Sequence, residues 1–151
     1  MNVVPEGYHT VTPWLITAGR TAELIDFITE VFDATELGRV GEAPRIGHAE
    51  VRIGDSVVML FDVPDWPSTP AFLRLYIADD ATGLKRAVAL GSRIVTEPTE
   101  LFWGDRVSRF ADPRWSSVMA GTLCSIAPIM CLFLLLQKEF ISGLTSGAVK
   151  G

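Results

Sequence analysis

The chain has 151 residues, 48% of them apolar, and a net charge of −5. That is about one domain with enough apolar content for a real core. The absence of a basic patch excludes nucleic acid as a partner. The two cysteines, Cys124 and Cys131, both lie in one apolar stretch, so they form neither a disulfide framework nor a metal-ligand spacing.

The opening, "MNVVPEGYHTVTP", lacks a basic start and an apolar core, so the first part is expected in the cytosol. "YHTVTPWLI" (Tyr8–Ile16) is rich in β-branched and aromatic residues and reads as a strand, with Pro13 marking an edge or an irregularity. "TAELIDFITEVFDA" follows, with a candidate cap at Thr21. Its apolar residues Leu24, Ile25, Phe27, Ile28, Val31 and Phe32 repeat at helical spacing. Three short strands come next: "ATELGRV", "GHAEVRI" and "SVVMLFDV". Gly54-Asp55 forms the tight turn between the last two. Pro64, Pro67 and Pro70 mark a linker. The order then restarts with the strand "AFLRLYIAD" and the helix "DATGLKRAVALG", closed by Gly91. "SRIVTEPTE" and "DRVSRFADP" add two more strands. A strand–helix–strands unit repeated at about fifty residues implies an α+β domain built by duplication.

These segments, above all "TPWLITAGRTAELIDFITEVFDATEL", "RIGHAEVRIGDSVVML" and "LYIADDATGLKRAVALGSRIVTEPTELFWGDRVSRFADP", resemble the glyoxalase / bleomycin resistance / extradiol dioxygenase (vicinal oxygen chelate) superfamily. The PhnB-like branch is the closest in pattern. The resemblance covers about residues 8–113 within a domain of residues 1–115. It implies two βαβββ modules, about 8–63 and 71–113, that form a cup around a small-molecule ligand. It also implies pairing into dimers.

In the superfamily's enzymes a divalent metal is held by a His on the first strand and a Glu on the last strand of each module. Here those positions fall near Thr12, Met59, Phe72 and Met119. None is a good ligand for a hard or borderline cation. The expectation is therefore no metal at the usual place, no cofactor, and neither isomerase nor dioxygenase chemistry of the usual kind. A metal site built from shifted ligands, His9, His48 and Glu50, is the alternative.

Other side chains could carry a ligand. His48 and Glu50 are two apart on a strand and share a face, so the carboxylate could orient the imidazole as a base. They could equally form a polar pair on a sheet surface. In "FWGDR", Trp103 could stack on a ligand while Asp105 and Arg106 pair with each other. Arg74 would favour an anionic or carbonyl ligand if it faces the cup, and otherwise is a solvated edge. Trp14 and Tyr76 read as core or pocket wall. There is no nucleophile motif and no phosphate-binding glycine loop.

After Arg114 the sequence departs from the superfamily's pattern. The second module then looks truncated at its last strand, for which Trp115–Ala120 could supply only a poor substitute. Val118–Leu136 carries no charge and is long enough for an apolar helix crossing a bilayer, which takes roughly 20 residues. Residues 116–151 form this tail. "GTLCSIAPIMCLFLLLQKEFISGLTSGAVKG" resembles the C-terminal end of the permease subunits of carbohydrate ABC transporters. Basic residues ahead of the run (Arg106, Arg109, Arg114) outnumber those behind it (Lys138, Lys150). If the run spans a membrane, that bias leaves the first domain on the cytoplasmic side. A run folded back onto the domain is the soluble alternative.

Overall fold

The computed structural model describes residues 3–67, 71–114 and 120–125. Ten elements follow in two rounds of strand–helix–three strands. The first is β1 (Trp14–Ile16), α1 (Thr21–Phe32), β2 (Thr35–Glu42), β3 (Arg45–Ile53) and β4 (Ser56–Phe61). The second is β5 (Arg74–Tyr76), α2 (Asp80–Ala89), β6 (Arg93–Glu100), β7 (Arg106–Ala111) and β8 (Ala120–Ser125). Each round makes a four-stranded sheet, ordered β1-β4-β3-β2 and β5-β8-β7-β6. In both sheets the first strand runs parallel to the last, and the other pairs are antiparallel.

Local chemistry explains most boundaries. The apolar stripe of α1 buries Leu24, Ile25, Phe27, Ile28 and Val31. Thr21 is the first helical residue rather than the cap. Arg20 holds the cap position without a side-chain bond, and the Thr21 hydroxyl meets that of Thr17 at 2.5 Å. The cap of α2 is Asp79, which accepts from the Thr82 amide at 3.0 Å. Just past its end Gly91 takes a positive φ of 95°, where glycine carries no side-chain penalty. The first strand is shorter than the sequence suggests. Pro13 still accepts from the Met59 amide at 2.9 Å, and residues 8–12 lie outside the strand.

α1 packs on β3, and α2 packs on β6, β7 and β8. The two helices also touch, and one core runs through both modules. Phe110 of β7 is its link, with ring centres 6.0 Å from Phe27 and 6.3 Å from Phe32. Polar ties reinforce it. Arg20 donates to the Pro113 carbonyl at 2.7 Å, and Arg86 pairs with Asp33 at 3.0 Å. Asp112 is buried and accepts from Ser92 and Arg114, whose guanidinium lies 4.2 Å above the Phe27 ring centre. Burial works to raise the Asp112 carboxyl. The hydrogen bonds from Arg114 and Ser92 outweigh it and hold the group below its ordinary value.

The main correction concerns the last strand. The second module is not truncated. Ala120–Ser125, from within the apolar run, fills the slot between β5 and β7, pairing with three residues of one and six of the other. A central slot left open would leave two rows of backbone groups without partners, and that demand outweighs the weak strand preference of "AGTLCS". The expected apolar helix over Val118–Leu136 therefore does not hold for Ala120–Ser125. The rest of that run lies outside the described residues. No helix among the described residues is long and apolar enough to cross a membrane. With Ala120–Ser125 in the sheet, only Ile126–Leu136 remains of the uncharged run, about half of the roughly 20 residues a span needs.

Candidate functional site

Both sheets turn one face to the helices and one away. Strand alternation and register fix which residues lie on the outward faces. In the first sheet Trp14 lies opposite Met59, Met59 opposite Glu50, and Phe61 opposite His48. These five therefore share one face. The rings stack in a row. Trp14 and Phe61 lie 4.1 Å apart between ring centres at 28°, and His48 and Phe61 lie 4.5 Å apart. Trp14 remains 56% exposed, so the row forms an open aromatic ledge.

Beside the ledge runs a hydrogen-bonded chain. The Tyr8 hydroxyl donates to Glu50 Oε2 at 2.5 Å, and His48 Nε2 lies 3.3 Å from Glu50 Oε1. The bond to Glu50 pushes the Tyr8 phenol above its ordinary value of 10.0, with burial and the Glu50 charge adding to the shift. His48 Nδ1 is buried without a hydrogen-bond partner among the described residues. A proton on Nε2 directed at Glu50 leaves Nδ1 as the basic nitrogen. Residues 3–13 cross over this face as a strap, held by Tyr8 and by Arg52, which donates to the Gly7 carbonyl at 3.1 Å. Between strap and sheet lies a recess of about 530 Å³, lined by Val4, Tyr8, His9, Thr12, Glu50 and Met59. A larger cleft of about 870 Å³ lies between the modules, against β5 and the Ile53–Ser56 turn. Its lining carries the charged residues Asp33, Asp55, Arg74, Asp79 and Arg86, of which Arg86 and Asp33 pair with each other.

The second sheet gathers another group on its outward face. Arg74 lies 3.9 Å from Asp105 and 5.2 Å from the Tyr76 ring centre. The Trp103 indole donates to Asp105 at 2.9 Å. The sequence-derived candidates thus fall into two clusters: Trp14, His48 and Glu50 on one sheet, and Arg74, Trp103 and Asp105 on the other. Arg106 joins neither. The expected Asp105–Arg106 pair does not form. Arg106 opens β7 on the same side as Ser108 and Phe110, beneath α2, and pairs there with buried Asp80 at 3.5 Å. Asp105 precedes the strand and turns the other way. Tyr8 was missed among the candidates. Its only sequence signal was an aromatic residue at the start of the expected first strand.

Of the residues that the resemblance sets near the superfamily's metal positions, the three described ones are poor ligands for a hard or borderline cation. Met59 presents a thioether between Trp14 and Glu50, Thr12 donates its hydroxyl to the His9 carbonyl, and Phe72 is an exposed ring. Met119 lies outside the described residues. In the register of the second sheet Thr122 stands opposite Arg74, as Met59 stands opposite Trp14. Nor do the shifted candidates converge: among the described residues no three His, Cys, Asp or Glu side chains are gathered for an ion.

The sequence profile of the Glyoxalase/Bleomycin resistance protein/Dioxygenase superfamily matches residues 8–115. The chain belongs to this superfamily. An uncharacterised protein of Mycobacterium bovis is 37% identical over 132 residues, covering 77% of this chain and 84% of that protein. Among solved structures, TioX from Micromonospora sp. ML1 superposes with a TM-score of 0.65 at 18% identity, covering 78% of this chain and 98% of TioX. The PhnB protein from Bacillus cereus gives 0.58 at 17% identity, covering 76% of this chain and 98% of that one. At such identities the two structures speak for the fold alone.

A separate, short likeness belongs to the permease-like tail. The probable ABC transporter permease YurM of Bacillus subtilis is 54% identical over 37 residues, which is 24% of this chain but 12% of that protein. The trehalose/maltose permease MalG of Thermococcus litoralis is 51% identical over 37 residues, 24% of this chain and 13% of MalG.

Proposed function

We propose that this superfamily member binds a small organic molecule on the outward face of its first sheet, without the superfamily's usual metal. The observation that carries the reading is the ledge of Trp14, Phe61 and His48 set against the Tyr8–Glu50–His48 chain. An aromatic floor favours a planar body. A carboxylate that already accepts from a phenol favours a donor-bearing or cationic group on the ligand. Met59 and Thr12, standing where the enzymes have carboxylate and imidazole, support the metal-free part. Binding, rather than turnover of the usual lyase or dioxygenase kind, is the activity this arrangement suits. The family resemblance also implies pairing of two copies.

The test is a panel of planar heteroaromatic amines and their neutral carbocyclic counterparts, titrated into the full chain by NMR. Amines that bind should weaken at least tenfold, about 1.4 kcal/mol, in Glu50→Gln and in Trp14→Ala. Elemental analysis of the same protein should find no stoichiometric divalent metal. A bound equivalent of metal whose removal by chelator abolishes ligand binding would overturn the reading in favour of the shifted site.

A further inference from the structure

The second sheet's outward face differs in charge from the first. Its register sets Arg74 of β5, Thr122 of β8 and Arg109 of β7 in one row. Arg93 of β6 pairs with Ala111, two residues beyond Arg109, and so stands on the same face. Adjacent strands lie about 4.8 Å apart, so the backbones of Arg74 and Arg109 are roughly 10 Å apart across β8. Two side chains of that length can close on a single group between them. Arg109 is exposed and makes no ion pair or side-chain hydrogen bond among the described residues. The Arg74 contact to Asp105, at 3.9 Å, is at the outer limit of an ion pair, and Asp105 is also held by Trp103. Arg74 and Arg109 thus share one row of this face, with Arg93 further along it, beside the Tyr76 and Trp103 rings, which are 60% and 50% exposed.

We infer that this face is a binding site for a small planar organic carboxylate. The guanidinium fork matches a carboxylate with two parallel hydrogen bonds, and an arginine plane stacks on a flat body as Arg74 already does on Tyr76. The site is independent of the Glu50 ledge, whose own carboxylate would repel such a ligand. Failure of one reading therefore leaves the other standing.

The probes are benzoate and its neutral counterpart benzamide, titrated by NMR into the full chain at fixed ionic strength. Benzoate should saturate with shifts at β5, β7 and β8, and benzamide should bind at least tenfold more weakly. Arg109→Gln should weaken benzoate at least tenfold with an unchanged melting temperature. Lys85→Gln, the same charge loss on the exposed side of α2, should change it less than twofold. Equal binding of benzamide, an equal loss in Lys85→Gln, or no saturation at tens of millimolar would each overturn the proposal.

Discussion

Replacing Leu123 by proline strikes the strand on which the second sheet depends. Leu123 lies opposite both Leu75 and Ser108, at the middle of a strand paired on both sides. Proline removes its N–H, leaving a carbonyl on a neighbouring strand unpaired in a buried sheet, at a cost of about 1–3 kcal/mol. Its φ near −65° also departs from the −120° to −140° of a strand, which bends β8 and weakens the adjoining pairs. Together these come to about 4 kcal/mol, a large part of the 5–15 kcal/mol by which a domain of this size is usually stable. Amide exchange is the assay. In Leu123→Pro the amides of β5 and β7 should lose protection by about three orders of magnitude, while β3 and β4 keep more of theirs. Leu123→Val, which suits a strand, should exchange like the parent. Unchanged protection of β7 in the proline variant would refute the placement of β8.

Phe110→Ala removes the ring that joins the two halves of the core and should cost about 3–5 kcal/mol, read as a lower urea midpoint. A loss below about 1 kcal/mol would mean that the modules hold together elsewhere. Asp112→Asn should cost about 2–3 kcal/mol, since Arg114 loses a charged, buried acceptor. Because the Asp112 carboxyl is depressed, its contribution is present above the unfolded value of 3.8 and lost as pH falls through the folded one. Acid unfolding of the parent, but less of the variant, should show this dependence. In a Tyr76→Phe background, the remaining phenol of Tyr8 should titrate above 10.0 by ultraviolet absorbance and move down in Glu50→Gln. The raised value stabilises the fold fully below pH 10 and progressively less as the pH climbs through the folded value.

Periodicity made most of the fold legible. The stripe of α1, the alternation of β3 and the glycine turn at Gly54 all report a helix face or a strand face directly in residue types. What it could not report is competition. "AGTLCS" is apolar enough for a helix and poor in strong strand formers. Only the open slot between two distant strands, β5 and β7, decides its state. The candidate site divides in the same way. The shared face of His48 and Glu50 follows from their spacing of two. Their contact with Tyr8, 42 residues away, does not. The outcome for Arg106 turned on where β7 begins, because one residue of shift moves a side chain to the other face of a sheet.

The position of β8 also sets a timetable. β5 is made early, yet the strand that pairs with it comes last, from a stretch that resembles a transporter's end. At about 5–20 residues per second, the interval between Tyr76 and Ala120 lasts roughly two to nine seconds on the ribosome. Through that interval the first module can close, while the inner side of β5 and the Phe110 ring wait. This chain therefore spends that interval as a finished half and an unfinished half, and its exposure to aggregation or to a chaperone's hold is greatest just before Ala120–Ser125 arrives.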